Sequence, residues 1–185
     1  MKKYISLIPL AFLLAVLPLV SADSTSITVT FKVPQDISFS VAYAGSCSSS
    51  DFACVESDAT IDGTQTQIPI TQIDGTTCQD GSNAATTVTN SGNTNINITM
   101  AFDTALPTGV TYKVSQSSTG YESTCSENEP PTSGCVTIST SAKTVIANLA
   151  AGSSEDLWHW CDFSNFNSGA AGSVTRSLTL TSVAS

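Results

Sequence analysis

The sequence is poor in positive charge: 6 Lys and Arg stand against 15 Asp and Glu in 185 residues, a net charge of −9. A chain this acidic repels phosphate backbones and anionic lipid, which excludes nucleic acid from the expected partners. Histidine is scarcer still, because His159 is the only one. A two-histidine metal site cannot be built from one copy, and any histidine-based triad would depend on that residue. Cys-x-x-Cys pairs, the common ligand spacing of structural zinc, are missing. So are capped stretches of helical period and any second apolar run able to span a bilayer. These gaps predict a chain that is not an enzyme and carries no cofactor or resident metal.

What is present begins with an export signal. Lys2 and Lys3 precede an apolar run, Ile5 to Val20, broken only by Ser6, Pro9 and Pro18. Val20-Ser21-Ala22 supplies small residues for cleavage before Asp23. The expected organisation is a signal peptide over 1–22 and one domain over 23–185, secreted or held at the cell surface, with no membrane insertion after cleavage. Loss of Lys2 and Lys3 leaves 4 basic residues against 15 acids, so the mature charge is −11. With charge this sparse, solubility falls to Ser and Thr, 29 and 26 of them in the full sequence.

In an exported chain the six cysteines Cys47, Cys54, Cys78, Cys125, Cys135 and Cys161 read as three disulfides. Proximity along the chain pairs Cys47 with Cys54 and Cys125 with Cys135. That leaves Cys78–Cys161 as a long-range tie.

Strand signals run from end to end. Ile27, Val29, Phe31 and Val33 alternate with polar residues immediately after the cleavage site, and Ile37–Tyr43 alternates after Pro34-Gln35-Asp36. Further strands are expected at Thr86–Asn90, Asn95–Phe102, Val110–Gln116, Cys135–Thr140, Thr144–Leu149, Leu157–Phe163 and Val174–Val183. The echo of Ile61-Asp62-Gly63-Thr64 in Ile73-Asp74-Gly75-Thr76 reads as two turn signals. Short strands punctuated by Gly, Pro, Asn and Asp imply an all-β antiparallel sandwich stapled by disulfides.

Asn90-Ser91-Gly92-Asn93-Thr94-Asn95-Ile96-Asn97-Ile98 resembles the turn-then-strand signature of immunoglobulin-like modules in microbial surface proteins. Pro107-Thr108-Gly109-Val110 and the closing strands around Leu157–Phe163 and Val174–Leu180 are similar to the same modules. This resemblance, over about half the mature chain, implies an immunoglobulin-like β-sandwich from an archaeal or bacterial envelope or surface fibre. It brings no catalytic residues.

Candidate chemistry is thin. His159 falls on an alternating strand, on one face with Leu157, Cys161 and Phe163, where a buried, bonded histidine is the plain reading. Paired carboxylates serve glycoside hydrolysis, but the acids sit beside turn residues, as in Asp62-Gly63, Asp74-Gly75 and Asp80-Gly81. Glu56, Asp58 and Asp62 offer calcium-type oxygens without a twelve-residue ligand loop. Trp158 and Trp160 share the other face of the His159 strand. They suit a core, a subunit contact or a sugar-stacking platform. Asn97-Ile98-Thr99 is the one N-glycosylation sequon, with Asn97 expected to point outward from its strand.

The expected function is a non-enzymatic extracellular structural protein, a subunit of a fibre, pilus-like filament or surface layer that self-associates. The alternative is a secreted carbohydrate- or ligand-binding module. The strand of Ile27, Val29, Phe31 and Val33 has two possible fates. It can complete a neighbour's sheet, or form a hairpin with Ile37–Tyr43, which the short connection makes the default for an isolated monomer.

Overall fold

The computed structural model describes Thr30 and residues 32–45, 47–48, 52–55, 68–118, 125–166 and 173–185. The chain divides into two units, Met1–Val33 and Pro34–Ser185, and every strand below belongs to the second. The expected signal peptide lies outside the described residues, as do Ile27, Val29 and Phe31. Val33 is in no strand and is 79 % exposed.

Nine strands occur among the described residues. The first five are β1 (Phe39–Tyr43), β2 (Ile68–Pro69), β3 (Thr86–Asn90), β4 (Ile96–Phe102) and β5 (Thr111–Ser115). The rest are β6 (Val136–Ile138), β7 (Lys143–Leu149), β8 (Ser154–Asp162) and β9 (Leu178–Ala184). One sheet has the order β1-β3-β8-β5-β6, with β2 added to β8; the other is β7-β4-β9. All pairings between these strands are antiparallel.

Period-two patterning explains how the sheets meet. In β4, Ile96, Ile98, Met100 and Phe102 are buried while Asn97, Thr99 and Ala101 are half-exposed. They pack with Val88, Val114, Val136, Ile138 and Leu157 of the first sheet in one core. Such burial of each large aliphatic stabilises by about 1.5–3 kcal/mol. The fold is therefore a sandwich-like all-β domain.

A buried amide joins the layers. Asn90, fully enclosed at the end of β3, donates from Nδ2 to the carbonyls of Thr94 and Leu149, each at 2.8 Å, and accepts the Gly92 N–H on Oδ1. Leu149 ends β7 in the other sheet, so this one side chain ties turn and sheets together.

The expected hairpin turn at Pro34-Gln35-Asp36 is not formed. Residues 34–38 run instead beside the β3–β4 turn. Asn93 accepts the Asp36 N–H and donates to the Pro34 carbonyl, while Ser91 and Gly92 both donate to the Ser38 carbonyl. A Cβ on Gly92 would collide with the Asp36 backbone, so only glycine permits the approach. With these groups committed, β1 pairs with β3.

Two expected disulfides are also corrected. Cys47 bonds Cys78 and Cys54 bonds Cys161, while Cys125–Cys135 is as expected. Chain proximity lost to strand pairing. Ala53 and Thr71 exchange main-chain hydrogen bonds, and Ile70 donates to the His159 carbonyl, which lays Cys54 beside β8 and its Cys161. Cys78, bonded through its own N–H to the Ile70 carbonyl, is left for Cys47. Cα separations of 5.8, 5.9 and 5.7 Å suit all three bonds.

Two expectations for experiment follow from this connectivity. Non-reducing peptide mapping should recover 47–78, 54–161 and 125–135 linkages with no free thiol, and a 47–54 peptide pair would contradict the fold. Replacing both Cys54 and Cys161 with Ala should cost about 4–5 kcal/mol in denaturant unfolding, against about 3 for the Cys125 and Cys135 pair, because the closed loops differ so much in length.

Candidate functional site

Chemistry-bearing side chains converge on β8, a strand with partners on both edges. Its first half pairs with β3 and its second with β2 on one side, and β5 covers the other. One face carries Leu157, His159 and Cys161, all buried; the other carries Asp156, Trp158, Trp160 and Asp162.

His159 is 1 % exposed. Its Nε2 lies 2.8 Å from Thr86 Oγ1, and its Nδ1 lies 2.9 Å from the Tyr112 hydroxyl. Hydroxyls give or take a proton, so both nitrogens of a neutral ring are satisfied. Phe52 and Tyr112 contact the imidazole edge-on or tilted, with ring centroids at 6.0 and 5.8 Å. Burial lowers the His159 pKa to about 3, and burial also raises that of Tyr112. The main-chain N–H of His159 donates to Gln79 Oε1 at 2.7 Å.

The aromatic pair is split. Trp160 is 3 % exposed, whereas Trp158 is half-buried and donates its indole N–H to the Asp80 carbonyl at 2.9 Å. Asn97 lies on the outer side of β4, half-buried, opposite Val183 of β9. Its Oδ1 accepts the N–H of Asn148, which adopts a left-handed φ of 53° where the β4–β7 register shifts.

The acids mostly hold backbone. Asp74 accepts the Thr76 N–H, and Asp80 takes the N–H groups of Ser82 and Asn83 together with the Asn83 side-chain amide. Those hydrogen bonds lower both pKa values. Glu127 grips Thr137, while Glu129 accepts the Thr144 N–H and pairs with Lys143. No group of three or more metal-type ligands occurs among the described residues. The calcium candidates Glu56, Asp58 and Asp62 lie outside those residues. Likewise, among the described residues no helix is long and apolar enough to cross a membrane.

No protein-family model, no curated protein and no solved structure matches the chain. The three disulfides fit an oxidising, extracellular compartment.

Sequence reasoning placed His159 on the buried face but did not find Gln79, Thr86 or Tyr112 around it. Only Tyr112 carried a signal, as an aromatic within an expected strand.

This burial makes stability depend on pH. The folded state keeps His159 neutral down to about pH 3, while the unfolded chain takes up a proton below its ordinary value of 6.5. The contribution is complete above pH 6.5 and is lost as pH falls, at up to about 1.4 kcal/mol per unit. The carboxylates with lowered pKa act in the same direction only within and below the carboxylate range. Unfolding free energy should therefore decline from pH 6.5 to 5 in the wild type and stay flat in His159→Gln; parallel slopes would refute the assignment.

Proposed function

We propose that this protein is a non-enzymatic structural subunit of an extracellular filament or surface layer, an immunoglobulin-like sandwich that polymerises through its N-terminal strand. The observation that carries this reading is the commitment of residues 34–38 to the β3–β4 turn. A chain held there does not reverse at Pro34-Gln35-Asp36, so the in-chain hairpin loses its turn. Ile27, Val29, Phe31 and Val33 then suit a second copy.

The β9 edge is the acceptor in this reading. Seven residues of β9 pair with β4 in unbroken register, and β9 has no strand on its other side among the described residues. Its inward Leu178 and Leu180 pack on the core yet stay half-exposed, and Val183 is 44 % exposed. A donated strand would bond to that edge and cover those side chains, with main-chain hydrogen bonds giving affinity and alternate pockets setting register. Head-to-tail repetition of such a contact does not close, and so builds a fibre. The non-enzymatic part rests on His159, which is sealed in the core and neutral.

Mature protein should form filaments visible by negative-stain electron microscopy, whereas a chain lacking 23–33 should keep its β-sheet circular dichroism and stay monomeric. Leu180→Asp should also block assembly. Wild-type protein that remains monomeric at high concentration, or a deletion that still polymerises, would defeat the proposal.

A further inference from the structure

A groove of about 810 Å³ opens on the first sheet, within the size range of small-ligand sites. Its floor includes Ala42 of β1, Thr87 of β3 and Asp156 of β8, and its wall is the loop through Gln79, Asp80 and Asn83. Tyr43 borders the groove at the end of β1, but its ring turns to the other face of the sheet, edge-on to Phe52 at 5.5 Å.

The wall is prearranged. Cys78 is tied to Cys47, Asp80 and Asn83 bond each other's side chains and main chain, and Trp158 pins the Asp80 carbonyl from β8. Little ordering remains to be done on binding.

Gln79 is the decisive group. Only 5 % of it is exposed, and its Oε1 is held by the His159 N–H, which fixes the amide. Its Nε2 has no hydrogen-bond partner among the described residues. Nor is that atom sealed in, because Thr111 Oγ1 is the enclosed, unpartnered side-chain atom among those residues. A nearly buried amide that lines a groove and keeps a reachable donor is set up to give that hydrogen bond to a guest. Across the groove, Asp156 spends Oδ1 on the Thr87 hydroxyl and leaves Oδ2 as an acceptor.

We infer that this groove binds a neutral oligosaccharide, with Gln79 Nε2 donating to a sugar hydroxyl and Asp156 accepting from one. A hydroxyl gives and takes hydrogen bonds, so it fits a fixed donor facing a fixed acceptor. An anionic guest would meet Asp156 in a strongly acidic protein. A divalent cation would find a single available carboxylate, because both oxygens of Asp80 are committed to Ser82 and Asn83. The site does not depend on polymerisation and would give an assembled subunit an adhesive face.

The test is binding of the mature protein to an array of neutral oligosaccharides of hexoses and N-acetylhexosamines, then calorimetric titration with the best ligand. Gln79→Glu keeps the acceptor for His159 and removes the donor; Asp156→Asn keeps the acceptor for Thr87 and replaces the other oxygen with a donor. Each should weaken binding at least tenfold. Asp156 is exposed, so its variant decides the matter even if the Gln79 variant fails to fold. Absence of binding across the array, or affinity unchanged in Asp156→Asn, would overturn the inference. So would calcium chloride alone giving a binding heat that Asp156→Asn abolishes.

Discussion

The central position of β8, paired on both edges with its inner face in the core, is the constraint on which the rest of the domain depends. A strand paired on both edges satisfies its main-chain groups in the ladders, and the side chains of its inner face, Leu157, His159 and Cys161, must suit the enclosed core. Leu157 and Cys161 meet that demand directly. His159 meets it only as a neutral ring between two hydroxyls, which accounts for the positions of Thr86 and Tyr112 on the flanking strands. The same strand anchors the 79–80 loop through the His159 N–H and the Trp158 indole, so the groove is built from the core outward.

A second dependence runs through the turn between β3 and β4. Asn90 and Asn93 do with side-chain amides what a longer chain would do with backbone. The first closes the turn onto the end of β7, and the second binds residues 34–36 as they enter the domain. An amide presents donors and acceptor at once, so one side chain satisfies several main-chain groups, some of them buried. Gly92 between them is required by close approach, not by its φ. The point where the chain enters the sandwich is thereby set by chemistry within the string Asn90-Ser91-Gly92-Asn93.

The candidate site was legible only where it followed period two. Alternation assigned His159, Trp158 and Trp160 to their faces of β8, because side-chain direction along a strand is local geometry. It left Gln79 and Asp80 as loop residues, and nothing in a Ser- and Thr-rich chain marks Thr86 or Thr87 above their neighbours. Asp156 was missed for a related reason. The start of β8, Ser154-Glu155-Asp156, is polar and reads as loop until its pairing with β3 makes it strand. Two-residue β2 was likewise invisible, since a pair of residues carries no period.

What the sequence determined by itself was the all-β composition, most strand positions from Thr86 onward, the oxidised state of six cysteines, and the inward set Ile96, Ile98, Met100 and Phe102. Each follows from local properties: alternation, turn chemistry, and an even cysteine count behind a signal-like segment. Tertiary structure alone decided which strands became neighbours, and everything downstream of that choice. Cys47 found Cys78, and Cys54 found Cys161, because ladders between Ala53, Thr71, Ile70 and β8 brought those pairs together across long stretches of chain. Residues 34–38 run beside the β3–β4 turn because the Asn93 amide and the close approach at Gly92, more than fifty residues along the chain, hold them there. Partner choice between distant segments depends on the summed satisfaction of buried polar groups, a quantity with no local trace in the sequence.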